Sequence, residues 1–267
     1  MAKKIAKSKK PSAPKLWLAG ARLRTLPLAI APVILGGAAA MANTKFQPVL
    51  FLLALAVALL LQIGVNYAND YSDGIRGTDA NRVGPLRLTA SGLVRSRSVK
   101  IVAFVFFGLA GLVGLEIVVL TGFWWLLAVG ALCILAAWYY TGGKHPYGYA
   151  GLGEIAVFVF FGLVATIGTS FIQEGEFDLL AAYFSVAAGL LASAVLMVNN
   201  IRDIKTDTES GKRTLAVKLG ARKAKGLFYA MLWLPVLMLV LVVLIYPNSL
   251  LAFSVIFLIG PTTLIVA

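Results

Sequence analysis

Seven stretches of this chain contain no Asp, Glu, Lys or Arg: residues 26–42, 46–68, 101–115, 117–143, 155–173, 179–201 and 226–267. About 20 consecutive apolar residues are enough for a helix to span a bilayer, and runs of this length leave few other folds open. The last run holds 42 residues and divides at Tyr246-Pro247-Asn248, a turn-forming triplet. The expected fold is therefore all-α, a polytopic transmembrane helical bundle with eight spans near 22–42, 47–68, 99–119, 121–140, 153–172, 179–200, 225–246 and 249–267. The chain is 60% hydrophobic and 13% charged, about half the charged share of a soluble domain. The domain expectation is a basic cytoplasmic tail over 1–21 and one transmembrane domain over 22–267.

Basic residues orient these spans, because cytoplasmic loops are enriched in Lys and Arg. With eight spans, 23 of the 24 Lys and Arg fall on one side, and only Lys45 falls on the other. The expectation is a multi-pass protein of the cytoplasmic cell membrane with its amino terminus in the cytoplasm. The net charge of +13 is then a topology signal in contact with the lipid bilayer, and no nucleic-acid partner is expected. Arg22 and Arg24 abut the first apolar run as inside anchors, which favours a retained tail over a cleaved leader. A single cysteine, Cys133, excludes an intramolecular disulfide and a cysteine-cluster metal site.

Charge is scarce here, yet NYANDYSDGIRGTD (66–79) carries three of the eleven acidic residues, Asp70, Asp73 and Asp79. A similar pattern returns at the end of the sixth span. Asn66 and Asp70 are four apart, with Asp73 three further on, and Asn199, Asp203 and Asp207 are each four apart. On helices such spacings place each trio on one face. Four spans separate the two segments, so both acid sets reach the same side of the membrane. This describes two four-helix halves sharing a site between them.

Carboxylate and amide oxygens suit a hard cation. Magnesium takes one or two carboxylates and completes its shell with water and substrate phosphates. Because His145 is the only histidine, zinc and iron are disfavoured. Arg76, Arg82, Arg87, Arg202, Lys205, Lys212 and Arg213 flank the acids and suit a diphosphate, and no Gly-x-x-x-x-Gly-Lys-Ser/Thr loop points to a nucleotide triphosphate. A diphosphate bound at a membrane site implies a lipid tail, which a polyprenyl diphosphate supplies. Its allylic carbon–oxygen bond can ionise once the leaving group is neutralised. Aromatic faces such as Tyr67, Phe106, Phe107, Trp138 and Phe158 are available to the resulting cation.

The two acid-rich segments, NYANDYSDGIRGTD and NNIRDIKTDTESGKRTLAVKLG, resemble those of the UbiA superfamily of intramembrane prenyltransferases. The Asp73-to-Asp79 spacing, DANRVGPLR (79–87) and YYTGGKHPYGYAGLGE (139–154) are most similar to the branch that prenylates 1,4-dihydroxy-2-naphthoate in menaquinone synthesis. The resemblance covers about residues 20 to 225. It implies that Asn66, Asp70, Asp73, Asn199, Asp203 and Asp207 hold magnesium, with Asp70, Asp73, Asp203 and Asp207 catalytic. Arg76, Lys144, Arg202 and Lys212 would contact the diphosphate, and Tyr139, Tyr140, Lys144 and His145 the acceptor. The implied partners are polyprenyl diphosphate and 1,4-dihydroxy-2-naphthoate. The family commonly has nine spans, where eight are counted here.

Two other readings compete. The acid motifs by themselves fit prenyl transfer to another aromatic acceptor, such as 4-hydroxybenzoate or homogentisate. Repeated halves with membrane-embedded acids also describe a cation-coupled transporter, although here the acids sit at helix ends beside arginine-rich loops.

Overall fold

The computed structural model of the protein describes residues 12–78 and 86–245, and every regular element among them is helical. Helix α1 (Ala13–Ala21) and helix α2 (Pro27–Ala42) are joined by a 3₁₀ turn at Leu23–Thr25 and bent by 47°. The bend has local causes. Arg22 takes a left-handed conformation, φ 50° and ψ 60°, and Pro27 opens the next helix, where its missing N–H has no consequence. The segment expected to be a tail thus contains a packed helix: the Tyr67 hydroxyl of the second span donates to the Trp17 carbonyl at 2.6 Å. Residues 1–11 lie outside the described residues.

Helix α3 (Pro48–Arg76) runs two turns beyond the expected end at residue 68, carrying the first acid motif as helix until Gly77 stops it at φ 72°. Helices α4 (Ser96–Thr121) and α5 (Leu126–Tyr139) follow. At 14 residues, α5 is only about 21 Å long and falls short of a full bilayer core. The fifth apolar segment forms α6 (Gly153–Val157), a π-helical stretch at Phe158–Val164 and α7 (Ala165–Glu174). Then come α8 (Leu179–Arg202), α9 (Ile204–Glu209) and α10 (Leu215–Ile245), the last kinked at Gly220, φ 74° and ψ 159°.

Among the described residues five helices are long and apolar enough to cross a membrane, or six if α1 and α2 form one broken span. The expected count of eight is therefore not reached: α5 is short, and the eighth segment, 249–267, lies outside the described residues.

The two halves are not separate bundles. Helix α3 packs along α4, and α8 packs against α10 and the π-helical stretch, while α2 leans on α7 and α8 as well as α3. Glycine permits the closest approach: a Cβ built on Gly162 would lie 2.6 Å from the Gly189 Cα and 2.6 Å from the Ser185 carbonyl. Small residues let backbones meet where lipid gives no hydrophobic drive for association.

The loops separate by end. At one end the α2–α3 turn is tied to α7 and the α7–α8 turn: Lys45 pairs with Glu176, Asn43 donates to Glu174 at 2.8 Å, and the Gln47 amide donates to Gln173 at 3.0 Å. At the other end the α3 terminus, the α5–α6 loop and the α9–α10 loop come together. That second end carries both acid motifs.

Candidate active site

Asn66, Asp70 and Asp73 share one buried face of α3, as the spacing predicts. Their partners differ. The Asn66 amide donates to the Ala21 carbonyl and the Thr25 hydroxyl, both at 2.9 Å, which fixes the bend between α1 and α2. Asp70 is fully buried, and its two oxygens accept the backbone amides of Leu88 at 2.9 Å and Thr89 at 2.8 Å. It therefore holds the segment leading into α4. Asp73 Oδ1 accepts the Tyr149 hydroxyl and the Lys212 ammonium, the latter at 3.3 Å. Asp79 and Arg82 lie outside the described residues.

The second trio does not share one helical face. Helix α8 ends at Arg202, Asp203 takes the capping conformation φ −94°, ψ 6°, and Asp207 belongs to α9. Asp competes with the helix for its own backbone groups and so favours termini, which is the signal the four-residue spacing concealed. Arg202 donates through Nε at 2.7 Å and Nη2 at 2.8 Å to the Asp203 carboxylate. Asn199 donates to the Val195 carbonyl of its own helix at 2.8 Å, so it does not repeat the role of Asn66. Asp207 accepts the Thr214 hydroxyl at 3.5 Å, and its carbonyl accepts the Lys212 amide at 2.8 Å.

The α5–α6 loop is clamped between these motifs. Arg76 donates to the Thr141 and Gly143 carbonyls, and the Thr141 hydroxyl donates to Asn69 at 2.8 Å. From the other side the Arg213 amide reaches the Tyr149 carbonyl at 2.9 Å, and Lys218 the Ala150 carbonyl at 2.6 Å. Tyr149 is the hub: besides bonding Asp73, its ring lies 4.6 Å from the Lys212 ammonium and 5.4 Å from the Arg76 guanidinium. These are cation–π distances.

The acceptor candidates separate as well. Lys144 and His145 are exposed at the loop tip. Tyr139, 49% exposed, lines an apolar crevice of about 540 Å³ with Leu132, Tyr147, Phe160 and Val164, on the α5 and π-helical surfaces. Tyr140 turns inward. Burial, then the carboxylate of Glu154, then Tyr147, Asp73 and Asp207, raise its phenol above the ordinary range. Burial pushes Tyr147 up to about 12, and burial with the Asp73 carboxylate raises Tyr149. The Tyr147 hydroxyl donates to the Ala136 carbonyl at 2.8 Å and the Tyr149 hydroxyl to Asp73.

Among the described residues no three His, Cys, Asp or Glu side chains form a metal cluster. Magnesium asks for less, one or two carboxylates with phosphate and water oxygens. Asp73, Asp203 and Asp207 fit it in donor type and lie at the same end. Asn66 commits its amide nitrogen to Ala21 and Thr25, and each Asp70 oxygen already accepts one backbone amide.

Tyr149, Asn69 and Thr141 were not singled out from the sequence. The signal available was position: Tyr149 lies in the same Gly-rich loop as Tyr140 and Lys144, but nothing local says which tyrosine faces the acids.

Residues 29–267 match the UbiA prenyltransferase family. The chain is 54% identical over 217 residues to the 1,4-dihydroxy-2-naphthoate octaprenyltransferase of Mycobacterium tuberculosis, covering 81% of this chain and 74% of that protein. It is 44% identical over 215 residues to the protein of the same name in Escherichia coli, covering 78% and 70%. In fold it is similar to a UbiA homologue from Archaeoglobus fulgidus solved bound to GPP and Mg2+, with a TM-score of 0.69 and 15% identity over 93% of this chain and 85% of that one. A helical bundle with two acid-rich helix ends facing one loop, and a sequence match along nearly its whole length, place this chain in the UbiA prenyltransferase family.

Proposed function

We propose that the protein transfers a polyprenyl group from a polyprenyl diphosphate to 1,4-dihydroxy-2-naphthoate, with loss of the carboxyl group as carbon dioxide, in menaquinone synthesis. The observation that carries this reading is the bridge at Asp73, where the first acid motif meets Lys212 of the second motif and Tyr149 of the intervening loop. Relatives whose names carry the naphthoate substrate, at 54% and 44% identity, support the acceptor.

Asp73, Asp203 and Asp207 would hold magnesium, which when bound supplies positive charge that stabilises the departing diphosphate. Lys212 and Arg202 neutralise phosphate oxygens beside it, exchanging their present carboxylate partners for the ligand, and Lys144 stands at the rim. Asp70 and Asn66 keep the surrounding backbone in place, and Asn199 lies beside the second motif. Arg76 fixes the loop that seats the acceptor. The protein works in the cytoplasmic membrane, with this end and the amino terminus in the cytoplasm.

The test is prenyl transfer by purified protein supplied with dihydroxynaphthoate, magnesium and prenyl diphosphates. Asp73→Ala and Asp203→Ala are each expected to lower turnover at least about 10²-fold, by analogy with removal of one preorganised electrostatic contact. A magnesium chelator should abolish activity and added magnesium restore it. Near-normal turnover in both variants would leave the acids only their structural bonds to Tyr149, Lys212 and Arg202. Transfer to 4-hydroxybenzoate with its carboxylate retained, and none to the naphthoate, would overturn the acceptor and leave prenyl transfer standing.

A further inference from the structure

One buried acid has no part in the site as described. Glu154, at the start of α6, is 2% exposed. Its Oε1 accepts the Asn200 amide at 2.9 Å, and its backbone carbonyl accepts the Ser193 hydroxyl at 2.9 Å, so α8 anchors it twice. Its Oε2 is buried with no hydrogen-bond partner. An ionisable group so placed in a membrane protein is expensive to keep and marks function by default.

A Cβ built on Gly153 would lie 3.2 Å from the Tyr140 hydroxyl, so that hydroxyl sits against the backbone next to Glu154. After burial, the Glu154 carboxylate is what raises the Tyr140 phenol. Bonds tie both residues to the motifs: Glu154 is held by Asn200, next to Asn199 of the second motif, and Tyr140 accepts the Gly148 amide, next to the Tyr149 that bonds Asp73. The Tyr140 ring is held against Tyr147, with centroids 5.5 Å apart and planes at 77°, and its carbonyl accepts the Gly148 amide at 3.0 Å. The two residues together hold a phenol O–H and a carboxylate oxygen without a partner, the groups that a hydroxylated ring would need.

Resting on the prenyl-transfer reading, we propose that Glu154 is the base of the reaction, taking the proton of the ring hydroxyl next to the carbon that is prenylated. The hydroxyl O–H bond breaks and its proton passes to Oε2, while the oxygen electrons make the neighbouring ring carbon nucleophilic. That carbon bonds to the allylic carbon of the donor as the allylic C–O bond breaks, and diphosphate leaves with the electron pair. The ring carbon now bears both prenyl group and carboxylate, beside a carbonyl. The bond to the carboxylate breaks, carbon dioxide leaves, and its electrons return through the ring to the oxygen, which recovers the proton from Glu154. No proton is gained or lost, and no oxidant is needed.

Glu154→Gln tests this, because the amide keeps an oxygen for Asn200 and removes only the basic one. Turnover of farnesyl diphosphate with dihydroxynaphthoate is expected to fall about 10²–10⁴-fold, the range of general-base contributions. Affinity for the non-ionising farnesyl thiodiphosphate should be retained. A ring-fluorinated acceptor with a more acidic hydroxyl should lose less than the parent. Turnover close to that of the unaltered protein would overturn the proposal, as would equal losses of donor affinity and turnover, which would make Glu154 an anchor for α8. Glu154→Asp, which keeps the charge and withdraws it by one methylene, is the second variant, expected to lose at least about 10-fold in turnover; full activity there also overturns it. If the unaltered protein transfers no prenyl group to the naphthoate, the functional reading falls first, whatever the variants do.

Discussion

Tyr149 concentrates what single side chains do in this protein. Its hydroxyl bonds Asp73 of α3, and one cation from the end of α3 and one from the α9–α10 loop lie over its ring. Removing only the oxygen, in Tyr149→Phe, leaves the ring and both cation contacts and takes one hydrogen bond from a carboxylate. Such a bond contributes about 1.5–3 kcal/mol, so kcat/KM for prenyl transfer is expected to fall roughly 10- to 100-fold, measured at saturating magnesium. Unchanged kinetics would mean that the Lys212 contact alone positions Asp73. The residue types at the site were legible in the sequence, since scarce acids clustered twice beside bases. Their division of labour was not: Asp70, buried and bonded to two amides, is indistinguishable from Asp73 by spacing.

Among the elements, the fifth span is built around close contact. Its π-helical stretch passes α8 with Gly162 against Gly189, and any side chain at either position must push the helices apart. Gly162→Val is expected to cost about 1–3 kcal/mol by overpacking, seen as a fall of a few degrees in the melting temperature of the detergent-solubilised protein. Gly168 in α7 is the control, because a Cβ there meets nothing within 4 Å. Gly168→Ala should be neutral or stabilising by a few tenths of a kcal/mol to about 1. Equal effects at the two sites would remove close packing as the reason for the glycine at 162. Hydropathy located this span and gave no warning of its π-helical register, because a shift of one residue per turn leaves an all-apolar pattern unchanged.

For the whole molecule, the segregation of loops to two ends is the feature that makes a shared site possible. Cysteines introduced at residues 45 and 176, which pair at one end, and at 145 and 210 at the other, give the orientation. In intact cells a membrane-impermeant maleimide is expected to label the first two and spare the second two. The reverse pattern would place the acid motifs outside the cell and end the cytoplasmic assignment. The alternation of basic loops anticipated the common end of both motifs. It did not anticipate that α2 would lean on the second half, so the halves are interlocked and not merely adjacent.

Hydropathy sums over a helix length, and charge cost in a bilayer acts residue by residue, so the sequence alone determined that this chain is a membrane bundle, where its acids cluster and which loops lie together. Partner choice is a different quantity. Asp73 meets Tyr149 across 76 positions and Lys212 across 139, and Glu154 is held by Asn200 across 46. Contacts at such separations depend on how helices pack and where α8 breaks, which no local pattern encodes. Only the tertiary structure therefore decided that Asp70 accepts two backbone amides, that Asp73 faces the loop, and that Glu154 is buried with one carboxylate oxygen left without a partner.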